Sequence, residues 1–243
     1  MADSVIYNIP CHPILASQPR SVLATPLEGI DVKFLVLGAT GATGTLFIDA
    51  AINAGHYVVA LARDPQRLTP REGLQVTSGD ARDADALARA ADGADAVIST
   101  LGVGSTRNPN GLIREATRAV IDAAARTGLR RVVWQSAFGV GDSYPKASFL
   151  MRMGYRLTPA VFGDKAAAEQ LLRGSELDWT IAYPGVLTNG PPTGQAVATD
   201  LEDIDKLTGM PRISRADVAD FLLTAATTTA WNKRIAVLTT GTP

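Results

Sequence analysis

Gly38-Ala39-Thr40-Gly41-Ala42-Thr43-Gly44 follows directly on Val32-Lys33-Phe34-Leu35-Val36-Leu37, an apolar run with the character of a buried strand. A glycine triplet in that context can bind a diphosphate through the backbone. The first glycine, Gly38, allows a sharp turn, the second, Gly41, lets the main chain approach a pyrophosphate, and the third, Gly44, lets helix and strand pack closely. The free N–H groups of a following helix then face the anion, with Thr40, Ala42 and Thr43 completing the cradle. Leu46, Phe47, Ala50 and Ala54 supply the helical spacing that this reading requires.

The next chemistry-bearing residue is Arg63, immediately after the apolar run Tyr57-Val58-Val59-Ala60-Leu61. At the end of the second strand of a dinucleotide fold, an acidic side chain binds the free 2′-hydroxyl of NAD, whereas an arginine fits the 2′-phosphate of NADP. Arg63 therefore points to NADP(H). Asp64 could argue for NAD, but Pro65 after it places Asp64 at the start of a turn. Asp80 closes a third apolar run, Leu74-Gln75-Val76-Thr77-Ser78; it is either within reach of an adenine amino group or the cap of a helix from about residue 83.

These groups need a frame, and the chain supplies an alternation of strands and helices. Further strands are expected at 94–99, 131–135, 179–183 and 234–238, and helices at 84–91, 110–127, 146–157, 163–173 and from Ser214 onward. Thr100-Leu101-Gly102 again puts a glycine at a strand end. Ser214-Arg215-Ala216-Asp217 resembles a capping box with aspartate in place of glutamate. The fold class is α/β, a Rossmann-like, doubly wound, mainly parallel sheet with right-handed crossovers. Residues 31–243 form one domain, residues 1–30 an extended arm, and the proline-bearing stretch 184–212 reads as an irregular substrate loop or lid.

Composition bounds the partners. The formal net charge is −1 and charged residues make up 19% of the 243-residue chain, so no electrostatic footprint for nucleic acid or an anionic membrane is expected. No apolar run approaches the roughly 18 residues of a membrane span. One cysteine and two histidines, His12 and His56, argue against a metal site and suit a reducing, cytoplasmic setting. A small-molecule acceptor is the expected partner, and a homodimer stays open.

The glycine loop, Ala62-Arg63-Asp64, Ser78-Gly79-Asp80, Val97-Ile98-Ser99-Thr100-Leu101-Gly102, Val132-Val133-Trp134-Gln135-Ser136-Ala137-Phe138 and Trp179-Thr180-Ile181-Ala182-Tyr183-Pro184-Gly185 together resemble the atypical short-chain dehydrogenase/reductases. The NmrA-like and biliverdin reductase B/flavin reductase-like branch is the nearest. The resemblance spans about residues 32–240. It implies the loop on the pyrophosphate, Arg63 on the 2′-phosphate, Asp80 and Ala81 by the adenine, and Thr100, Leu101 and Gly102 along the cofactor. It further implies Ser136 near the nicotinamide and acceptor, Lys165 on the nicotinamide ribose, and Tyr183, Pro184 and Val186 beside the nicotinamide ring. Ser136 and Lys165 are the candidate catalytic residues, Ser136 as a hydrogen-bond donor to the acceptor or else a structural strand-end serine, Lys165 on the cofactor or else a solvated helix lysine.

The chain departs from that family at one position. The usual proton donor is a tyrosine four residues before the lysine, and here position 161 is valine. A ketone leaves alkoxide character that needs a positioned acid, an effect worth roughly 10²–10⁴-fold in rate. A flavin, quinone or linear tetrapyrrole instead delocalises the arriving charge and takes its proton from water. Hydride transfer from NADPH to a conjugated acceptor is the expected reaction, held over the cofactor by Phe138, Val186 and Leu187. Tyr144 and Tyr155 are the alternative acids. An NADP(H)-sensing regulator and a cofactor-retaining epimerase or isomerase are the other readings of the same site.

Overall fold

A computed structural model describes residues 31–104 and 108–241; the arm expected at 1–30 lies outside the described residues. The chain begins with strand β1 (Lys33–Leu37), helix α1 (Ala42–Asn53), β2 (Tyr57–Ala62), β3 (Leu74–Ser78), α2 (Ala84–Ala90) and β4 (Ala96–Ser99). It continues through α3 (Leu112–Thr127), β5 (Arg131–Gln135), α4 (Phe149–Tyr155), α5 (Pro159–Arg173) and β6 (Asp178–Pro184). The last third holds β7 (Val186–Thr188), β8 (Ala196–Asp200), β9 (Arg212–Ser214), α6 (Arg215–Thr227) and β10 (Arg234–Thr240).

Strand residues alternate between two apolar layers because successive side chains point to opposite faces. Leu35, Leu37, Val59, Leu61, Val97, Val132 and Trp134 pack with Leu87 of α2, Ile113 and Val120 of α3 and Leu172 of α5. On the other face Phe34, Val36, Val58, Ala60, Ile98 and Val133 meet Phe47 and Ile48 of α1 and Val218 and Leu222 of α6. The eight-stranded sheet runs β3-β2-β1-β4-β5-β6-β10-β8, parallel except for the β10/β8 pair. Its order reverses between β1 and β4, which opens a crevice at the strand C-termini. Register sets the height of that crevice: Leu37 pairs with Leu61 and Ser99, Ser99 with Trp134, and Gln135 with Ala182. Gly38 and Thr100 therefore leave the sheet side by side, and Ser136 follows one residue further along β5.

Three expectations change. Helix α5 starts at Pro159, not 163, because proline fits the first helical position, where its missing N–H is no loss. The 184–212 stretch is irregular only in part: 189–195 and 204–211 carry no helix or strand, but β7 and β9 form a small parallel sheet and β8 edges the main one. Its strands are three to five residues long and lack large apolar runs, so no period shows. The capping box is half realised. Ser214 Oγ accepts from the N–H of Asp217 at 2.9 Å, but the Asp217 carboxylate accepts from Thr193 N and Oγ1, each at 2.9 Å. It thereby fastens the 190s turn to α6.

Candidate cofactor and acceptor site

The loop from β1 to α1 is built as its sequence demands. Gly38 has φ +78°, the left-handed region, and a Cβ on Gly44 would lie 2.3 Å from the Gly38 carbonyl oxygen. Gly44 is thus the packing glycine and does not itself line the crevice. Helix α1 has no side-chain cap and no acidic residue in its first turn, whereas α2, α4 and α6 are capped by Asp83, Ser148 and Ser214. The Gly41 N–H closes the turn onto the Gly38 carbonyl at 2.9 Å, and the uncapped N–H groups of α1 begin at Ala42 and Thr43, on the wall of a cavity of about 920 Å³. Such an N-terminus, with the positive end of the helix dipole behind it, accepts a phosphate.

The cavity follows the sheet's switch point. Gly38, Thr40, Gly41, Ala42 and Thr43 form one wall, and Arg63, Asp80 and Ala81 lie at the end beyond β2 and β3. Thr100, Leu101 and Gly102 form the floor after β4; Ser136, Lys165 and Pro184 stand at the opposite end. Thr100 fixes this floor to the loop, its Oγ1 donating to the carbonyls of Leu37 and Gly38, both at 3.2 Å. At Gly102 a Cβ would meet nothing within 4 Å. A cavity of this volume, with helix N–H groups along one wall and arginines at one end, has room for an elongated ligand that carries phosphate in its middle and an anionic group at the arginine end.

Arg63 is exposed at the cavity rim, and Arg67, one helical turn on, also lines it, its Nη2 reaching the Thr40 carbonyl at 3.4 Å. Arg82 completes the cationic end. Asp80 does not cap α2; Asp83 does, accepting from the N–H groups of Asp85 and Ala86. Asp80 is held by Arg82, with Nη2 to Oδ2 at 2.7 Å, and this hydrogen-bonded pairing keeps its carboxyl below the usual range. The Asp80 side chain is therefore charged and committed, leaving its outer edge for a ligand.

At the other end, two of the residues expected beside the nicotinamide lie off the cavity wall. Tyr183 is fully buried and does not line the cavity; its hydroxyl donates to Glu169 Oε2 at 2.6 Å. Val186 sits half-buried in β7, paired with Arg212, and is likewise absent from the wall. Phe138 is 2% exposed and packs edge-on against Tyr183, so of the three apolar residues expected around an acceptor only Leu187 lines the cavity. Tyr144 and Tyr155 are also off the wall. Tyr155 stacks on Phe162 with centroids 4.3 Å apart, and burial pushes its hydroxyl up to about 12.

Lys165 is half-buried at the cavity edge, and desolvation brings its ammonium down to about 8, partly opposed by Glu169 and Asp164. Asp164 itself serves the fold, accepting from the N–H groups of Ile113 at 2.9 Å and Arg114 at 3.4 Å. It caps α3, whose own N-cap is Gly111 with no side-chain contact. Glu169, one turn after Lys165, is 4% exposed and receives the hydroxyl of Ser136 on Oε1. Burial raises its carboxyl above the ordinary range despite the hydrogen bonds from Ser136 and Tyr183. The sequence alone assigned no role to Glu169, to Arg67 or to Arg215, which also lines the cavity and donates to Asn189 Oδ1 at 2.7 Å. The signal for Glu169 was a carboxylate on the α5 face that also carries Val161, Ala168 and Leu172, all buried.

A doubly wound sheet with a glycine turn, an uncapped α1 and a long crevice at its switch point defines a dinucleotide-binding protein. The model of the NAD(P)H-binding family matches residues 38–229, and the chain belongs to that family. It is 30% identical over 68% of its length to an uncharacterized chloroplastic protein of Arabidopsis thaliana, and spans 62% of that relative. Among solved structures it resembles ChuY, an anaerobillin reductase from Escherichia coli O157:H7, with TM-score 0.72 and 30% identity over 86% of this chain and 97% of that one. A short-chain dehydrogenase/reductase from Veillonella parvula, solved in complex with NADP, has TM-score 0.72 and 20% identity over 88% and 96%. At that identity the likeness concerns the fold. No helix among the described residues is long and apolar enough to cross a membrane.

Proposed function

We propose that this protein is an NADPH-dependent oxidoreductase that reduces a flat, conjugated small molecule. The observation that carries the reading is the acceptor end of the cavity, which holds Ser136, Lys165, Pro184, Gly185 and Leu187 but, among the described residues, no tyrosine. Val161, where the family acid would stand, is buried in α5. The nicotinamide cofactor, when bound, supplies the hydride. This chain's residues do the rest: the N–H groups of Ala42 and Thr43 hold the diphosphate where Gly41 lets it approach the backbone, and Arg63 with Arg67 takes the 2′-phosphate. Lys165 binds the ribose beside the reacting ring, and the apolar wall at Leu101, Leu187 and Pro184 keeps water from the acceptor. Catalysis then comes mostly from positioning.

Arg63 and Arg67, with no acidic residue at the end of β2 turned toward the rim, support NADP(H) over NAD(H). Likeness to an anaerobillin reductase supports a conjugated acceptor. The test is an NADPH-oxidation screen against flavins, naphthoquinones, linear tetrapyrroles and simple ketones. Turnover confined to the conjugated compounds is expected. Efficient reduction of a simple ketone would overturn the acceptor class, and tight NADPH binding with no turnover on any compound would move the protein to the redox-sensing regulators.

A further inference from the structure

Ser136 sits at the end of β5 on the cavity wall, 3% exposed, and its hydroxyl is turned inward to Glu169 Oε1. The second carboxylate oxygen is taken by the Tyr183 hydroxyl at 2.6 Å. An ionised carboxylate is acceptor-only, so both hydroxyls must donate to it. A hydroxyl has one proton and two lone pairs. Once the Ser136 proton is committed to Glu169, what Ser136 can show the cavity is lone pairs.

We propose that Glu169 is a positioning residue that fixes Ser136 as a hydrogen-bond acceptor, making the cavity select conjugated substrates that carry an N–H group over those, such as quinones, that carry only carbonyl oxygens. This deepens the reading given above and rests on it. It also explains why the serine does not stand in for the missing acid: its proton is directed away from the substrate. A ligand N–H facing Ser136 completes the chain N–H to Oγ, Oγ–H to carboxylate, and each bond polarises the next. A quinone oxygen at the same place faces lone pairs.

The state of Glu169 depends on what surrounds it. Lys165 and Arg173 lie on its own helix, Tyr183 and Ser136 face it from β6 and β5, and Asp142, in the turn after β5, pairs with Arg173 at 2.6 Å. The cations and hydroxyls favour the carboxylate and burial opposes it. On protonation Glu169 becomes a donor, Ser136 turns its proton to the cavity, and the selectivity reverses.

The test compares lumiflavin with N3-methyllumiflavin, which differ by one N–H, and with menadione, in the full-length protein with NADPH. Wild type should favour lumiflavin over the methylated compound by about 10-fold in kcat/KM at neutral pH, the value of one hydrogen bond, and the ratio should fall as pH drops through the Glu169 titration. Ser136→Ala should bring it to about 1. In Glu169→Gln the amide can donate to Ser136, so the ratio should reach or fall below 1 while menadione reduction holds or improves. Tyr183→Phe removes a donor that favours the carboxylate, so the preference for lumiflavin should be lost at a higher pH than in wild type. An equal ratio in wild type, or one unchanged in both the Ser136 and Glu169 variants, overturns the proposal.

Infrared difference spectra of wild type minus Glu169→Gln, taken without cofactor or acceptor, read Glu169 directly. A carboxylate band at neutral pH that gives way to a protonated carbonyl band in acid is expected; a protonated carboxyl at neutral pH overturns the inference. Wild type that reduces none of the three compounds would bring down the reductase reading, and the infrared result would still judge the state of Glu169.

Discussion

Gly41 and Gly44 differ in what a methyl group would meet, and that difference separates cofactor binding from folding. Gly41 has φ −85° and ψ 160°, open to any residue. A Cβ there would lie 3.1 Å from the Gly38 carbonyl oxygen and near nothing else within 4 Å. Gly41→Ala should therefore cost stability by no more than about 1 kcal/mol, the cost of a poorer N-cap plus a shift of a few tenths of an ångström. In a protein of this size that lowers Tm by roughly 2–4 °C. The methyl projects where a pyrophosphate must approach the backbone. Losing one charge-assisted contact costs about 1.5–3 kcal/mol, so NADPH affinity should drop roughly 10- to 150-fold. Gly44→Ala is the opposite case: its Cβ would sit 2.3 Å from a backbone oxygen and 2.9 Å from Thr100 Oγ1. Strand and helix must separate, at about 1–3 kcal/mol or more, and Tm should fall well below that of the Gly41 variant. Titration calorimetry with NADPH and thermal melting read both quantities. Normal NADPH affinity in a folded Gly41→Ala protein would refute the placement of the diphosphate on this loop.

Three further outcomes follow from individual side chains. Arg63→Ala should weaken NADPH by about 10- to 150-fold and leave NADH nearly unchanged; equal losses by calorimetry would make Arg63 a structural residue. Lys165, with its folded value brought down to about 8 from 10.5, carries a depressed pKa, so its contribution is present above the unfolded value and lost as pH falls toward 8. Lys165→Met should thus be more stable than wild type below pH 8, by on the order of 1–3 kcal/mol, with the gain fading as pH rises toward 10.5, as denaturant melts across that range will show. Asp164→Ala strands the N–H groups of Ile113 and Arg114; it should cost about 1–3 kcal/mol in thermal melts, and an unchanged Tm would show that water caps α3 as well.

What could be read from the sequence is what depends on neighbours along the chain. The β1–loop–α1 unit was legible because the glycine spacing, the apolar run before it and the helical period after it fall within about twenty consecutive residues. The parallel order followed from alternation of elements and the handedness of crossovers. The short strands β7, β8 and β9 were not legible, since β8 is held by pairing with β10, some forty residues on, and its residues carry no apolar alternation. Asp80 and Asp83 show the limit at close range: both precede α2, and only geometry shows that Arg82 claims the first and leaves the second to cap the helix.

The acceptor end was the least legible because its decisive contacts join three distant segments. Ser136 and Glu169 are 33 positions apart, and Glu169 and Tyr183 are 14 apart. Position along β6 could place Tyr183 near the cofactor, yet strand alternation sends its side chain to the α5 face, under the wall and not into it. There it is one of two donors to a carboxylate that would otherwise be buried without partners, a cost of several kcal/mol. The same alternation carries Pro184, the next residue, to the cavity. A one-residue difference in β6 thus decides which side chain meets the ligand and which meets Glu169. If Glu169 fixes the proton of Ser136 as proposed, the polarity at this end of the cavity is set by residues that do not line it.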